Sequence, residues 1–575
     1  MRIVTCITYY TLLLLIFAMC ACKKEDADQL SVKNEVVLAA AGDMVTINPI
    51  LETDNDSYTI HIEVWQGLNA LHPETLRLIP VLASLPVVSD DKLSYSYIID
   101  SRARWSDDSP VTAADVIFTF KSIMNQTAQA SASRSNFMEL DSVWSPKNGM
   151  VTFHFSKVNF KHDYDIAGVS ILPKHRLDTN SLTDEITWSD LHSLKPNAKV
   201  RQAGEEFAST EKSTDIHRFI GSGPYMFEDW KRGERIVLKK NDRYWAQNIP
   251  WLEAYPDRLI YRVFSNNNSS IVALKAKELD VAGINSNQYL QGFDSVRYKF
   301  IKKGMVYDGS YHYLAWNNDK PIFASKKVRN ALTMLVNRDA MIHLILHDLA
   351  RKLESPLTPS VPGWDSTIKQ PDYNPAEARK LLAEDGWTDS DGDGILDKMI
   401  DGVRVPFKFN IMTESKDPQL LIVCEDMRKV GIEANLSILE FSVGLQNLRE
   451  RVYDAYLGSF SWDPTERDFY EEFYSAEAHS GGGNVSCYAN PEVDKLIDSL
   501  QKELDRNQRM LISKQIQSIV VADAPITYLY SKPEKFAWID RFDNVQFLPF
   551  APYIDPRYLI VRGSGVKKID YSAKY

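Results

Sequence analysis

The sequence predicts an α/β protein that is divided into roughly two to four domains. The chain contains 575 residues, of which 44% are hydrophobic, so it can bury more than one core. Apolar runs of strand length, such as EVVLAAA at 35–41, are separated by stretches whose apolar residues recur at helical spacing. The formal net charge of −11 does not favour a nucleic acid as a partner.

Residues 1–21 have the pattern of a secretory signal peptide. Arg2 precedes a charge-free apolar run at 12–21, which is too short to span a bilayer as a stable helix. The residues before Cys22 resemble a lipoprotein box, so we expect cleavage there, lipidation of Cys22 and a polar tether over 22–34. This interpretation predicts a membrane-anchored protein of the cell envelope, periplasmic or exposed at the surface. The alternative is a secreted protein cut at the same place without an anchor.

A hairpin is predicted near the middle of the chain, over Gly221–Trp245. Gly221 and Gly223 permit a backbone with positive φ in the turn that leads into it. Residues 225–230 and 236–240 have strand character, and a polar turn that contains a glycine joins them. From the residues alone, this segment is an antiparallel hairpin and nothing more specific.

Three helices are predicted from their capping residues. Thr112 is a suitable N-cap with Asp115 at the third helical position, and it follows a strand and a turn. Asn374 and Asn490 each precede a proline, which is favoured at the first helical position. Apolar residues at helical spacing follow, so we expect each helix to pack one face against a core.

In their order along the chain, these segments resemble the family 5 extracellular solute-binding proteins, the peptide-binding components of bacterial ABC importers. The resemblance is carried by the hairpin segment at 221–245, by the strand, turn and capped helix at 80–120, by YDAYLGSFSWDPTERD at 453–468 and by GGGNVSCYANPEVDKLIDSL at 481–500. It implies a two-lobed periplasmic-binding-protein fold of the class II type with an extra inserted subdomain.

The resemblance also implies domain boundaries. We expect lobe I to be discontinuous and the inserted subdomain to precede lobe II. The segments are 35–68, 216–305 and 522–575 for lobe I, 69–215 for the inserted subdomain and 306–521 for lobe II.

The resemblance places the main ligand-binding segment within 453–468. In the family an aromatic residue and an aspartate of this segment face the cleft. Here Phe460 stands where the family has tryptophan, and two residues are missing before Asp463. We predict that Asp463 holds the ligand's ammonium group, with Trp462 and Phe460 as pocket walls and Ser461 between them. The alternative is that Asp463 caps a turn before the next proline.

A second ligand-contacting stretch is predicted at Thr53 and Asp54, because the corresponding family segment often lies beside the ligand. The alternative is that both are solvated loop residues, which is the usual state of such side chains. Asp56 and Ser57 are predicted to cap the helix that follows.

An acidic loop has the spacing of a calcium-binding loop. Its alternating carboxylates flank a glycine and belong to Asp389, Asp391, Asp393 and Asp397. The twelfth position is Ile400 instead of the usual bidentate glutamate. We therefore predict an ordinary hairpin turn without a metal, and structural calcium is the alternative.

The function that the resemblance implies is that of a non-catalytic, monomeric receptor without a cofactor. It would hold a peptide in extended form between its lobes and deliver it to an ABC permease. The altered segment 459–463 suggests an alternative in which the same fold binds a metal chelate, haem, a sugar or an opine. A secreted hydrolase is a third interpretation, but the sequence has no G-x-S-x-G or H-E-x-x-H motif, and His175 is interpreted as structural.

Overall fold

The computed structural model describes residues 32–52, 54–461, 465–479 and 481–568. The predicted signal peptide, Cys22 and most of the predicted tether lie outside the described residues. Within the described part of the chain, no helix combines the length and the apolar character needed to cross a membrane.

The strands are short to medium in length and occur along the whole described chain. They are β1 (Glu35–Ala40), β2 (Asn69–Leu71), β3 (Leu78–Pro80), β4 (Val87–Val88), β5 (Ser94–Ile98), β6 (Leu140–Trp144), β7 (Met150–Phe155), β8 (Tyr225–Lys231), β9 (Arg235–Lys240), β10 (Arg258–Val263), β11 (Val281–Gly283), β12 (Ile301–Val306), β13 (Tyr311–Trp316), β14 (Arg351–Lys352), β15 (Asp397–Ile400), β16 (Val403–Pro406), β17 (Lys408–Thr413), β18 (Glu433–Ile438), β19 (Ala455–Phe460), β20 (Ile526–Ser531), β21 (Glu534–Ile539), β22 (Phe542–Asp543) and β23 (Ile560–Val561).

The α-helices lie between these strands. They are α1 (Asn55–Val64), α2 (Ala113–Met124), α3 (Ser131–Ser135), α4 (His162–Ala167), α5 (Lys174–Leu177), α6 (Trp188–His192), α7 (Ala198–Phe207), α8 (Asn267–Lys275), α9 (Ser286–Gln291), α10 (Lys326–Met334), α11 (Arg338–Ala340), α12 (Pro375–Glu384), α13 (Pro418–Arg428), α14 (Phe441–Glu450), α15 (Tyr470–Phe473), α16 (Pro491–Lys502) and α17 (Arg506–Asp523).

Two large mixed sheets form the centres of two lobes. The sheet of lobe I has the order β12-β21-β11-β1-β10-β9-β8, and the sheet of lobe II has the order β14-β20-β13-β19-β17-β18. The apolar run at 35–41 forms β1, which pairs in parallel with β10 in the register Glu35 to Arg258. One face of β1 is buried and the other is half-buried, which fits its almost continuously apolar sequence.

The predicted hairpin forms as β8 and β9, but its leading glycines have a different role from the one expected. Neither Gly221 nor Gly223 has a positive φ. A Cβ atom on Gly221 would lie 1.8 Å from the carbonyl oxygen of Val64, and one on Gly223 would lie 2.7 Å from that of Glu63. The Gly223 amide donates to the Val64 carbonyl at 2.9 Å. The glycines are therefore needed for the close approach of this turn to the end of α1.

The segment between β3 and β8 carries its own four-stranded sheet, in the order β4-β5-β7-β6. The predicted cap of α2 is present, since Thr112 and Asp115 form a capping box. Tyr95 and Phe153 of this small sheet belong to the same buried cluster as Val36 of β1. The inserted segment therefore shares a continuous core with lobe I.

The chain passes between the two sheets at two places, from β12 to β13 and from β20 to β21. Our expectation placed all of 522–575 in lobe I, but β20 pairs with β13 and β14 in the sheet of lobe II. Every residue of β20 is buried, as a strand inside a sheet requires. The return to lobe I therefore occurs at the short link after Ser531, about ten residues later than expected on the motif alone.

Candidate ligand-binding site

A cavity of about 560 Å³ lies where the two lobes and the inserted segment meet. Its lining comes from the region of α1, from β2 and β3, from α3 and α4, from the carboxy-terminal stretch 548–558, and from Thr465 and Glu466 of lobe II. The volume lies within the range of about 300–1,000 Å³ that is typical of small-molecule sites. Because lining residues come from both lobes, a movement of one lobe against the other would open or close this cavity.

Aromatic side chains form much of the wall. They include Tyr58, Trp65, Phe137, Tyr164, Trp251, Phe550 and Tyr558. Trp65 is fixed because its indole N–H donates to the carbonyl of Ile220 at 3.1 Å. Trp251 has a φ of +69°, and its carbonyl accepts a 2.7 Å hydrogen bond from the Tyr558 hydroxyl. A positive φ costs a bulky residue on the order of 1 kcal/mol, so the surrounding contacts hold Trp251 in place.

A buried ion cluster underlies one side of the cavity. Arg557 and Asp555 line the cavity, and the Arg557 Nη2 donates to Asp555 Oδ2 at 2.6 Å. Behind them, Glu63 is completely buried, and its Oε2 lies 3.4 Å from the Arg557 Nε. Burial raises the pKa of Glu63 well above its usual value, while the Arg557 charge opposes that rise. The guanidinium thus serves two carboxylates and is already paired before any ligand enters.

A second acidic residue of the wall is paired with a histidine. Glu52, which immediately precedes Thr53, lines the cavity and contacts the Nδ1 of His61 on α1. The Nε2 of the same ring lies 3.2 Å from the carbonyl oxygen of Thr46. This pair links the loop before α1 to the helix itself.

Charged groups of α4 and of lobe II face each other across the cavity rim. Lys161 and Asp165 line the cavity from the inserted segment, and Glu466 lines it from lobe II. The two carboxylate oxygens of Glu466 accept from Arg506 and Arg509, each at 2.6 Å. Burial raises the pKa of Asp165 to about 7, which nearby Lys161 partly opposes. This rim is therefore acidic, but its charge depends on pH near neutrality.

Half of the predicted ligand-binding residues lie outside the described part of the chain, namely Thr53, Trp462 and Asp463. Among the described residues near them in the sequence, Glu52 and Thr465 line the cavity. Ligand contact by these three residues stays a prediction.

The remaining three predicted residues are engaged elsewhere. Asp54 is the N-cap of α1, since its carboxylate accepts from both the amide and the hydroxyl of Ser57 at 2.8 Å. Phe460 stacks on Tyr313 with 4.9 Å between ring centroids, within the core of lobe II. Ser461 is exposed and accepts from the Ser310 hydroxyl at 3.3 Å. None of these side chains is part of the cavity wall in the structure.

Several wall residues carry no sequence signal that would have identified them. Lys161 and Asp165 lie in a short polar stretch, and Arg557 follows an unremarkable Asp-Pro pair near the carboxy terminus. Glu466 could have been predicted as a wall residue, because it lies three residues after Asp463 in the predicted loop. The others meet only through long-range packing between segments that are far apart in sequence.

The acidic loop closes on itself as part of a hairpin. Carboxylate oxygens of Asp389, Asp391 and Asp397 lie within 4.8 Å of one another. Asp391 is paired with Arg404, and Asp397 Oδ1 accepts from the Ser390 hydroxyl at 2.6 Å. The loop is closed by an antiparallel bridge between Thr388 and Asp397, and the turn of the β15–β16 hairpin follows it at Asp401 and Gly402. Calcium binding by the loop stays an alternative.

His175 has a serine and an aspartate as neighbours, but not in a catalytic arrangement. Its Nε2 lies 2.9 Å from Asp107 Oδ2 and 3.2 Å from the Ser109 hydroxyl. A hydrolytic triad needs the carboxylate on one ring nitrogen and the serine on the other. Here both partners share one nitrogen, and the group lies outside the cavity.

Comparisons with known proteins agree with this architecture. The family described as bacterial extracellular solute-binding proteins, family 5 (middle region), matches residues 77–481. The oligopeptide-binding protein AppA of Bacillus subtilis (strain 168) is 28% identical over 536 residues, which are 92% of this chain and 91% of that protein. A solved structure of AppA from Bacillus subtilis in complex with a nonapeptide has a TM-score of 0.67 at 25% identity and covers 92% of this chain and 98% of that one.

Two further solved structures show the fold alone because their identities are low. HbpA2 from Haemophilus parasuis has a TM-score of 0.75 at 19% identity, with 92% of this chain and 100% of that one covered. NikA from Brucella suis, in complex with Fe(III)-EDTA, has a TM-score of 0.74 at 18% identity and the same coverage. The predicted two-lobed periplasmic-binding-protein fold with an inserted subdomain is thereby confirmed. Since the family match spans well over half of the length of this chain, the chain belongs to the family 5 bacterial extracellular solute-binding proteins.

Proposed function

We propose that this protein captures peptides in the cavity between its lobes and delivers them to the permease of an ABC transporter. The observation that carries the proposal is the cavity itself, which both lobes line, lobe II through Thr465 and Glu466. The family membership and the similarity to the oligopeptide-binding protein AppA favour peptides over other ligands. Aromatic walls with a few fixed polar groups suit a peptide, whose backbone supplies hydrogen bonds and whose side chains fill pockets.

In this proposal, Asp463 anchors the ligand's ammonium group at the mouth of the cavity. Support comes from Thr465 and Glu466, which follow Asp463 closely in the sequence and line the wall. A desolvated carboxylate binds an ammonium strongly only when further hydrogen bonds satisfy it. The links between β12 and β13 and between β20 and β21 would act as the hinge for closure around the bound peptide.

The proposal also covers the protein's place in the cell. Lipidation of Cys22 would hold a monomer at a membrane of the cell envelope, next to its permease. The acyl chains supply about 0.8 kcal/mol for each buried CH₂ group, which is enough for stable anchoring when several chains are attached. The polar tether at 22–34 would leave the lobes free to move at the membrane surface.

Tryptophan fluorescence is suited to test peptide capture, because Trp65 and Trp251 line the cavity. The protein lacking the residues before Lys23 is titrated with a pool of di- to hexapeptides. We expect a saturable change in intensity or wavelength. Asp463→Ala should weaken binding by roughly 10- to 100-fold, the loss expected for a hydrogen bond to a charged group. Asp90→Ala, an exposed carboxylate away from the cavity, is the matched control and should leave binding unchanged.

The outcomes separate the parts of the proposal. Binding that survives Asp463→Ala would keep the peptide receptor and place the ammonium anchor elsewhere. A protein that responds to no peptide would contradict the proposal, and metal chelates, haem, sugars and opines would then be titrated into the same cavity.

A further inference from the structure

The acidic and basic side chains of the cavity wall are almost all paired with one another or with neighbours. Four pairings account for them: Glu52 with His61, Lys161 with Asp468, Glu466 with Arg506 and Arg509, and Asp555 with Arg557. Asp165 is the exception. Within the described residues its carboxylate makes no hydrogen bond and no ion pair, although it lines the cavity.

The surroundings of Asp165 make an unpaired charge there costly. The residue is only partly accessible, and burial is the main reason that its pKa lies near 7. Lys161, at the start of the same helical segment, lowers the pKa, whereas Asp163 on α4 and Asp468 from lobe II raise it. A buried carboxylate becomes favourable when a cation reaches it, because the ion pair and its hydrogen bonds replace the lost hydration.

The cations of the wall, in contrast to Asp165, are already paired with carboxylates. Lys161 lies 3.7 Å from Asp468, and Arg557 is held by Asp555 at 2.6 Å and by Glu63 at 3.4 Å. A ligand carboxylate would have to displace an existing partner to bind either of them. Among the described wall residues, the charged group that lacks a partner is therefore a carboxylate, and the partner that it lacks is a cation.

We propose that Asp165 receives a cationic side chain of the bound peptide, the ammonium of a lysine or the guanidinium of an arginine, so that this receptor prefers basic peptides. The inference rests on the proposed peptide-binding function and adds a substrate class to it. Asp165 lies on the inserted segment, so this specificity comes from a part of the chain other than the loop that holds Asp463.

Two peptide pools test the preference. Both contain di- to hexapeptides of alanine, one with a single lysine at each position in turn and the other with norleucine, the uncharged analogue of similar length. By calorimetry we expect the lysine pool to bind roughly 10- to 100-fold more tightly to the wild type, the range for a hydrogen-bonded charge. Asp165→Asn should abolish this difference between the two pools.

Asp163→Asn is the matched control. It removes the same charge from the same helix, lies outside the cavity wall and keeps the oxygen that accepts from the Tyr164 amide. The preference for lysine should survive in this variant. Loss of the preference in Asp163→Asn to the same extent as in Asp165→Asn would overturn the assignment to Asp165.

The pH dependence gives an independent readout. The ionised form of Asp165 binds the cation, so the lysine preference should increase as pH rises from 6 to 8 and vanish in Asp165→Asn. Pools acetylated only at the α-amino group, with the lysine ammonium left free, test whether the preference needs the terminal ammonium. A preference that persists supports the proposal, whereas one that this acetylation removes would show that the side-chain charge is not recognised by itself and overturn it.

The remaining outcomes distinguish this inference from the proposed function. Equal affinity of the wild type for the two pools overturns the inference alone. Absence of binding by both pools overturns the proposed function and this inference with it.

Thermal unfolding at pH 8 tests whether Asp165 is needed for the fold. The ligand-free Asp165→Asn protein should be at least as stable as the wild type, because it no longer buries a charge. A large loss of stability would show that Asp165 maintains the fold and would contradict the proposal.

Discussion

At the scale of single residues, Arg557 is the cation of the buried ion cluster on one side of the cavity. It lies between Asp555, which it contacts at 2.6 Å, and the fully buried Glu63, which it approaches at 3.4 Å. Both oxygens of Glu63 lack a hydrogen-bond partner within the described residues. The nearby guanidinium is therefore what makes the Glu63 charge tolerable in the interior.

Replacement of Arg557 by methionine should destabilise lobe I strongly. The change keeps much of the side-chain volume but leaves two buried carboxylates without their cation. Breaking a buried ion pair in this way typically costs about 3–5 kcal/mol. Urea unfolding of the wild type and of Arg557→Met, followed by circular dichroism at pH 8, measures the difference.

The pH dependence of this loss has a definite sign. The pKa of Glu63 is raised in the folded state, so Glu63 takes up a proton there more readily than in the unfolded chain. The destabilisation of Arg557→Met should therefore shrink as pH falls. The double variant Glu63→Gln, Arg557→Met should recover part of the stability at pH 8. Equal losses in the single and double variants would show that packing, and not charge, explains the effect.

Residue roles were the least predictable feature of the sequence. Asp56 and Ser57 were predicted to cap α1, but the cap is Asp54, whose two carboxylate oxygens both accept hydrogen bonds from Ser57. Gly221 and Gly223 were correctly identified as positions that require glycine. The reason, however, is their close approach to α1 and not a positive φ. Such roles depend on which distant segment packs against the residue, and one sequence does not contain that information.

At the scale of elements, the stretch before α4 connects the inserted segment to lobe II. Phe160 is only 3% exposed and belongs to a buried cluster made otherwise of lobe II residues. Its amide donates to the carbonyl of Gln501 on α16 at 2.8 Å, and the guanidinium of Arg509 on α17 lies 4.6 Å from its ring centroid. This contact spans the cavity rim, so we infer that it helps to hold the lobes together.

Phe160→Ala should shift the protein toward an open form. Deletion of a buried phenylalanine side chain typically costs about 3–5 kcal/mol, and here that loss falls on the contact between the lobes. We expect peptide affinity to fall at least tenfold, and the radius of gyration of the peptide-saturated protein, measured by small-angle X-ray scattering, to exceed that of the wild type.

Phe441→Ala is a suitable control, because Phe441 on α14 is 61% exposed. It should change neither affinity nor the radius of gyration. If Phe160→Ala lowers thermal stability while both binding and radius of gyration stay at the wild-type values, Phe160 is a static core residue and the closure role is wrong.

Elements with strong local signals were predicted well. The capping box at Thr112 and the asparagine caps before Pro375 and Pro491 all form, because each depends on residues within one turn. The assignment of β20 to lobe I was wrong, since local apolar character predicts a strand but not the sheet that it joins. Sheet membership is set by long-range pairing.

At the scale of the whole molecule, the ordered set of motifs predicted the fold more reliably than any single motif predicted the site. The hairpin, the capped helices and the strand at 453–468 constrain one topology when taken together, and the match to the family over 77–481 confirms it. The cavity combines segments from positions 49 to 558, so no local pattern could outline it. Fold and site were therefore predictable to very different degrees.

The most direct test of the central claim is calorimetry of the peptide pool with a protein whose cavity is partly filled. Ala132 on α3 is exposed and lines the cavity, so Ala132→Trp should place an indole in the binding space without disturbing the core. Ala276→Trp, at an exposed position after α8 in lobe I, is the matched control. We predict that Ala132→Trp weakens peptide binding by at least tenfold and that Ala276→Trp binds like the wild type. Unchanged peptide affinity in a correctly folded Ala132→Trp protein would contradict the claim that peptides bind in this cavity.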